Sequence, residues 1–202
     1  MRKSISVKSL RKSFKGTMVL DGLNLEIKKG ALVHIRGGNG SGKSTLLKLI
    51  AKLIDPDSGS IYVETSQKIG GLIENPMFIE HETALFNLQF LAELTGTFDW
   101  EKTRNLMQQF DLEITSKKPV KSYSLGMRQK LGIIQAIMEN QDLILLDEPT
   151  RGLDRKSVAA FNEIIESLRD AKKTCIICAH DGVSSIDFDA VYELEYGEIR
   201  EI

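Results

Sequence analysis

The run Gly37-Gly38-Asn39-Gly40-Ser41-Gly42 leads directly into Lys43-Ser44-Thr45, which fits the spacing Gly-x-x-x-x-Gly-Lys-Ser. Glycines at those positions let the backbone curl until successive N–H groups point inward, and such a concavity binds phosphate oxygens. A helix starting near Lys43 adds roughly half a positive charge at its N-terminus. Lys43 brings a full charge for β- and γ-phosphates, and Ser44 a hydroxyl for Mg²⁺. A second chemical group lies a hundred residues on, where the apolar run Leu143-Ile144-Leu145-Leu146 ends in Asp147-Glu148. Acids at a strand end are often merely solvated. Ligands of open parallel sheets, however, bind at the carboxyl ends of strands. With a phosphate loop upstream, Asp147 falls near the Mg²⁺. Glu148 then faces a water in line with the terminal phosphate, as a general base or water-positioning group. A dinucleotide fingerprint does not fit, because in the register from Gly38 the third glycine is replaced by Lys43.

These groups need strands and helices to carry them. Ala31 to Ile35 reads as a buried strand running into the glycine loop, and Leu46, Leu47, Ile50, Leu53 and Ile54 mark one face of a following helix. Asp55-Pro56-Asp57-Ser58-Gly59 stops that helix. Upstream, Ile5 and Val7, then Leu23, Leu25 and Ile27, alternate with polar residues and predict exposed antiparallel strands. From Thr83 to about Phe110 the pattern is helical, a block with a mostly core role for its leucines. A helix over about Ser124 to Met138, the strand Leu143 to Leu146, a helix with Val158, Phe161, Ile164, Ile165 and Leu168, and the strand Thr174 to Cys178 follow. Val191 to Leu194 and Glu198 to Ile202 finish the chain as short strands. Strand–helix alternation around apolar strands predicts an α/β fold with a mostly parallel core sheet covered on both faces. It also carries an N-terminal antiparallel β part and a helical insertion.

Composition excludes several classes. The 202 residues are 42% hydrophobic and 27% charged, a folded rather than disordered balance. Lys+Arg 27 against Asp+Glu 28 leaves a net charge of −1, which argues against a general nucleic-acid binder. Cys175 and Cys178 cannot build a disulfide framework and, three apart on a strand, face opposite sides. No apolar run approaches the ~20 residues of a membrane span. Met1-Arg2-Lys3-Ser4 starts basic, but Ser6, Lys8 and Ser9 break any apolar stretch, so the chain reads as cytosolic and would reach a membrane through a partner.

Taken in order, these motifs resemble the ATP-binding subunit of ABC transporters over nearly the whole sequence, as one nucleotide-binding domain, 1–202, with a helical subdomain over about 74–140. The Walker A loop is Gly37 to Thr45, Walker B is Leu143 to Asp147 with Glu148 after it, and the D-loop is Gly152-Leu153-Asp154. Tyr123-Ser124-Leu125-Gly126-Met127 stands at the signature position, and a Ser-x-Gly helix start about twenty residues before Walker B is the most specific of these features. The resemblance implies a P-loop NTPase that binds ATP and Mg²⁺, with Gly37, Gly38, Asn39, Gly40, Ser41, Gly42, Lys43, Ser44 and Thr45 on the phosphates. Phe14 would stack on adenine, and His180 would bond the γ-phosphate and sense ATP against ADP. A lone His at a strand end is more often just solvated; its place in the motif order decides otherwise. His34 and His81 receive no role. The resemblance also implies a head-to-tail homo- or heterodimer, in which Ser124 and Gly126, an anion site at a helix N-terminus, meet the partner's nucleotide. A membrane permease subunit at the inner face of the cell membrane would complete the assembly. Glu74 to Glu80 and part of the helical block would contact it.

Two departures narrow the resemblance. Leu125 and Met127 replace the first Gly and the Gln of Leu-Ser-Gly-Gly-Gln. Glu74, in Ile69-Gly70-Gly71-Leu72-Ile73-Glu74-Asn75-Pro76, stands where the Q-loop glutamine is usual and is expected as a metal ligand alongside Ser44 and Asp147. Both variants resemble ATPases of peptide-antibiotic export or immunity, the bacitracin and lantibiotic type. A soluble ABC ATPase without a transporter stays open beside a transport ATPase. A P-loop kinase would need a lid of arginines and an acceptor pocket in place of Ser124-x-Gly126.

Overall fold

The computed structural model describes residues 3–64, 67–96 and 98–202; the basic start at Met1-Arg2 lies outside them. β1 (Lys3–Phe14) and β2 (Thr17–Lys28) pair antiparallel across Lys15-Gly16, both at positive φ as a two-residue hairpin turn requires. β4 (Ser58–Val63) pairs with the other edge of β1, giving the order β2-β1-β4. The alternating apolar face of this sheet, with Ile5, Val7, Leu10, Leu23, Leu25 and Ile27, is buried rather than exposed.

The second sheet has the order β5-β6-β7-β3-β8-β9, made from β3 (Leu32–Arg36), β5 (Ile69–Leu72), β6 (Leu143–Asp147), β7 (Thr174–Cys178), β8 (Ala190–Glu195) and β9 (Glu198–Glu201). All neighbours pair parallel except β8 with β9. Its strands serve two cores. Leu143, Leu145, Ile176 and Cys178 pack with the antiparallel sheet and helix α1 (Lys43–Ile50). Ile144, Leu146, Cys175 and Ile177 pack with α4 (Leu125–Ile137) and α5 (Arg155–Asp170). The two cysteines thus lie on opposite faces. Burial pushes the Cys175 thiol up to about 12 and Cys178 well above its ordinary range, which leaves both inert.

Helices α2 (Ala84–Thr95), α3 (Trp100–Gln109) and α4 lie between β5 and β6 in the chain. The helical block is therefore two helices, broken at Gly96, which caps α2 at φ 78°. The buried face of α2 is Ala84, Asn87, Leu88 and Ala92, whereas Leu94 is 71% exposed. Helix α1 also ends earlier than the apolar spacing predicts. Lys52 turns left-handed at φ 58°, and Leu53 is turned out to solvent.

Helix α4 lies unusually close to β5. A Cβ at Gly70 would sit 1.9 Å from the Ala136 carbonyl oxygen, and one at Gly132 would sit 2.9 Å from Leu72 and Pro76 side-chain carbons. Arg128 fixes the same region from the other end of α4. Its guanidinium bonds both oxygens of Glu80, at 2.6 and 2.9 Å, and lies over the Phe78 ring. The segment after β5 is thereby tied to the first turn of α4.

Candidate functional site

Four of the five α-helices among the described residues close their own N-termini. Thr83, Asp99, Ser124 and Asp154 each accept a backbone N–H from three residues on, which is ordinary N-capping. Helix α1 does not. Its N-cap is Gly42 at φ 105°, with no side-chain cap and no acid in the first turn. Its first amides are thus open to an outside anion. The glycines are steric requirements here: a Cβ at Gly37 would lie 2.3 Å from the Leu194 carbonyl oxygen, and one at Gly42 2.8 Å from Leu20.

Lys43 is buried, and its Nζ donates to the carbonyls of Gly37 at 2.7 Å and Gly38 at 3.0 Å. One residue on, Ser44 Oγ donates to Asp147 Oδ2 at 2.5 Å, so the loop and the end of β6 meet at this pair. Glu148 follows in a left-handed conformation, φ 46°. Its backbone N–H donates to the Cys178 carbonyl at 2.7 Å, and its own carbonyl accepts from Gln129 Nε2 at 2.9 Å. Strain of this kind in a non-glycine persists where surrounding bonds enforce it, and it clusters at functional sites. Glu148 Oε1 lies 3.9 Å from Lys43 Nζ and 3.6 Å from His180 Nε2, buried and without a hydrogen-bond partner among the described residues. Ser41 Oγ is buried and unpartnered in the same way.

These groups open into one cavity of ≈ 550 Å³, within the ~300–1,000 Å³ usual for small-molecule sites. Asn39, Gly40, Gly42, Lys43, Ser44, Thr45, Glu74, Asp147 and Glu148 line it. Gln129, Asn75, Arg151 and Val19 line it too, though nothing in the motif spacing assigned them. Gln129 carries the one readable signal, a polar residue on the otherwise apolar buried face of α4. Gly37, Gly38 and Ser41 belong to the same loop but are not among the lining residues. His180 stands beyond Glu148, with its backbone N–H 3.3 Å from Glu148 Oε2. Phe14 and the Ser124–Gly126 pair do not line the cavity. Phe14 is 46% exposed at the end of β1, with Lys12 Nζ 5.4 Å from its ring centroid. Ser124 caps its own helix through Met127 N–H, and Gly126 packs on the D-loop, where a Cβ would meet the Gly152 carbonyl oxygen at 2.6 Å. His34 is buried, stacked on Phe188 and bonded to the Ala179 carbonyl. Burial holds its pKa below the ordinary value, so it ties β3 to the end of β7.

The donor set suits Mg²⁺. Among the described residues no cluster of three or more His, Cys, Asp or Glu side chains could hold a metal unaided. A hydroxyl and one carboxylate that leave further positions to phosphates and water are what a small hard cation takes.

The sequence profile of the ABC transporter family matches residues 20–151, more than half of the chain. The chain belongs to the ABC transporter family. Within it the chain is an ABC-type ATPase, similar over 87% of its length to the lantibiotic transport ATP-binding protein SrtF of Streptococcus pyogenes (34% identical, 80% of that protein covered). It is 32% identical over 91% of its length to the bacitracin transport ATP-binding protein BcrA of Enterococcus faecalis, covering 63% of it. A dimeric ATP-binding cassette in a post-hydrolysis state, bound to ADP and Pi, superposes with TM-score 0.88 at 27% identity. That match covers 98% of this chain and 97% of the other. The chain spans between 61% and 80% of the lengths of the first curated relatives it matches. No helix among the described residues is long and apolar enough to cross a membrane.

Proposed function

We propose that residues 1–202 act as one ABC nucleotide-binding domain, with about 74–140 as its helical subdomain, and that it hydrolyses MgATP to drive a separate membrane permease from the cytoplasmic face. The observation that carries this reading is the meeting of Lys43, the Ser44–Asp147 pair and Glu148 around one cavity below an uncapped helix. Loop amides and Lys43 hold the phosphates, Phe14 stacks on adenine, and Ser44 and Asp147 hold Mg²⁺, with Glu74 at the rim as a further ligand. Bound by these residues, Mg²⁺ would supply charge neutralisation to the polyphosphate. Glu148 accepts the proton of a water that attacks the γ-phosphorus, the bond to the β–γ bridging oxygen breaks, and ADP and inorganic phosphate leave. His180 bonds the γ-phosphate and reports its loss.

Ser124 and Gly126 lie outside this cavity, so they serve a second chain's nucleotide in a head-to-tail homo- or heterodimer. The named relatives support a peptide-antibiotic cargo of the lantibiotic or bacitracin type, for export or immunity. Glu148→Gln tests the core of this reading. ATP binding should persist, a dimer should accumulate with ATP on size-exclusion chromatography, and turnover should fall by about 10²–10⁴-fold, the usual contribution of a general base. Wild-type turnover in that variant would remove Glu148 from its role. Co-purification of tagged protein without any multi-span membrane protein would favour a soluble ATPase instead.

A further inference from the structure

Glu74 stands where the resemblance expects the Q-loop glutamine, and it adds a third carboxylate to the cavity wall beside Asp147 and Glu148. Such a wall repels an incoming polyphosphate. The side chain does not stand free, however. Lys48 Nζ bonds Glu74 Oε1 at 2.5 Å. Lys48 belongs to α1, four residues after Ser44, and so projects from the same helix face one turn further along. It is not among the residues lining the cavity, so it draws the carboxylate outward to the rim. Glu74 itself sits at φ 62°, in the turn between β5 and the segment that Arg128 clamps, so its backbone is held while its side chain bridges to α1.

We infer that Lys48 is a positioning residue: it holds and neutralises the Glu74 carboxylate at the rim, and the bound metal must compete with it for that carboxylate. The inference rests on the nucleotide site proposed above. Without Lys48, the freed carboxylate opposes a nucleotide that arrives without metal and assists one that arrives with it. The two affinities therefore move in opposite senses, which loss of helix packing alone would not produce.

Calorimetric titration of the purified chain with ADP in EDTA, and with MgADP, reads both affinities. Lys48→Met should weaken metal-free ADP and widen the ratio of metal-free to metal-bound dissociation constants by about fivefold, the upper reach of a partly exposed ion pair. The widening should shrink at high ionic strength. Glu74→Gln in the Lys48→Met background should return the ratio to that of the wild type, and Lys48→Arg should leave it unchanged. Equal weakening of both affinities without rescue, or an unchanged ratio in Lys48→Met, would overturn the role of Lys48 while leaving the nucleotide site standing. No binding of either ligand by the folded wild-type chain would overturn the site itself.

Discussion

Helices α1 and α4 both start where a phosphate is expected, and their N-termini are built in opposite ways. Helix α1 begins on a glycine with no side-chain cap, beside a buried ammonium and a serine already bonded to Asp147. Helix α4 begins on Ser124, whose hydroxyl is engaged by its own Met127 N–H, and its Gly126 packs against the D-loop carbonyl of Gly152. One end is assembled around a cavity of the same chain, and the other lies outside that cavity's lining, capped by its own serine. The difference teaches that a helix end can be left open for an outside anion or closed by its own side chain, and on the function proposed above only the first is complete within one chain. Five substitutions break or sharpen that contrast.

The largest effect belongs to Lys43→Met. Nucleotide affinity should fall by about 10²-fold or more, as for loss of a preorganised charge on phosphate. The melting temperature of the nucleotide-free protein should change little, because relief of the desolvation of a buried ammonium offsets the loss of its bonds to the Gly37 and Gly38 carbonyls. Calorimetry and thermal unfolding together check this; a large loss of stability would mean that Lys43 serves the fold.

Gly126→Ala should act on the other end. Its Cβ must displace the Gly152 carbonyl, and overpacking of this kind costs about 1–3 kcal/mol. ATP-dependent dimerisation and turnover should drop, while the affinity of the monomer for ADP stays within about twofold, since neither Gly126 nor Gly152 lines the cavity. A matching loss of ADP affinity would erase the contrast between the two helix ends.

Ser124→Ala and Asp99→Ala remove N-caps of the same type, and each should lower stability to denaturant by about 1 kcal/mol. Only Ser124→Ala should also reduce turnover at saturating ATP. Equal turnover in the two variants would reduce Ser124 to a cap.

The smallest effect is one of pH. Asp57 accepts from the Ser13 hydroxyl, Lys12 and the Ser13 N–H, which hold its pKa at about 2 against an ordinary 3.8. A depressed carboxylate stabilises the fold fully above the ordinary value and loses that contribution as pH falls through the lower one. Denaturant titrations between pH 5 and 2 should therefore show a slightly shallower acid loss in Asp57→Asn. Because these bonds fix the strand end that carries Phe14, the same variant should raise the KM for ATP more than it changes kcat.

Much of this was readable in the residues themselves. Leu143 to Leu146 and Thr174 to Cys178 are apolar and bounded by polar residues, and they became central strands with their faces divided between two cores. What escaped reading was set by tertiary contact. Ile69-Gly70-Gly71-Leu72 has little strand propensity, yet it pairs with β6 because α4 presses on Gly70 with no room for a side chain. Ser58-Gly59-Ser60 reads as a turn but opens β4, whose pairing with β1 no local pattern announces. The leucine spacing in α2 misled for the same reason: its close packing selects Ala84, Leu88 and Ala92 and leaves Leu94 outside. In the candidate site the loop and the acids were legible by spacing. Asn75 and Arg151 were not, because they reach the cavity from separate loop segments with no pattern of their own, and Gln129 showed only as a polar residue on an apolar helix face.

The seam between α4 and β5 has a mechanical consequence. At Gly70 the backbone of β5 meets the Ala136 carbonyl, and at Gly132 the backbone of α4 meets the Leu72 and Pro76 side chains; close-packed contacts of this kind transmit strain. A shift of α4 is therefore expected to reach Leu72 and Pro76, on either side of Glu74, so that the helix and the rim of the cavity move together.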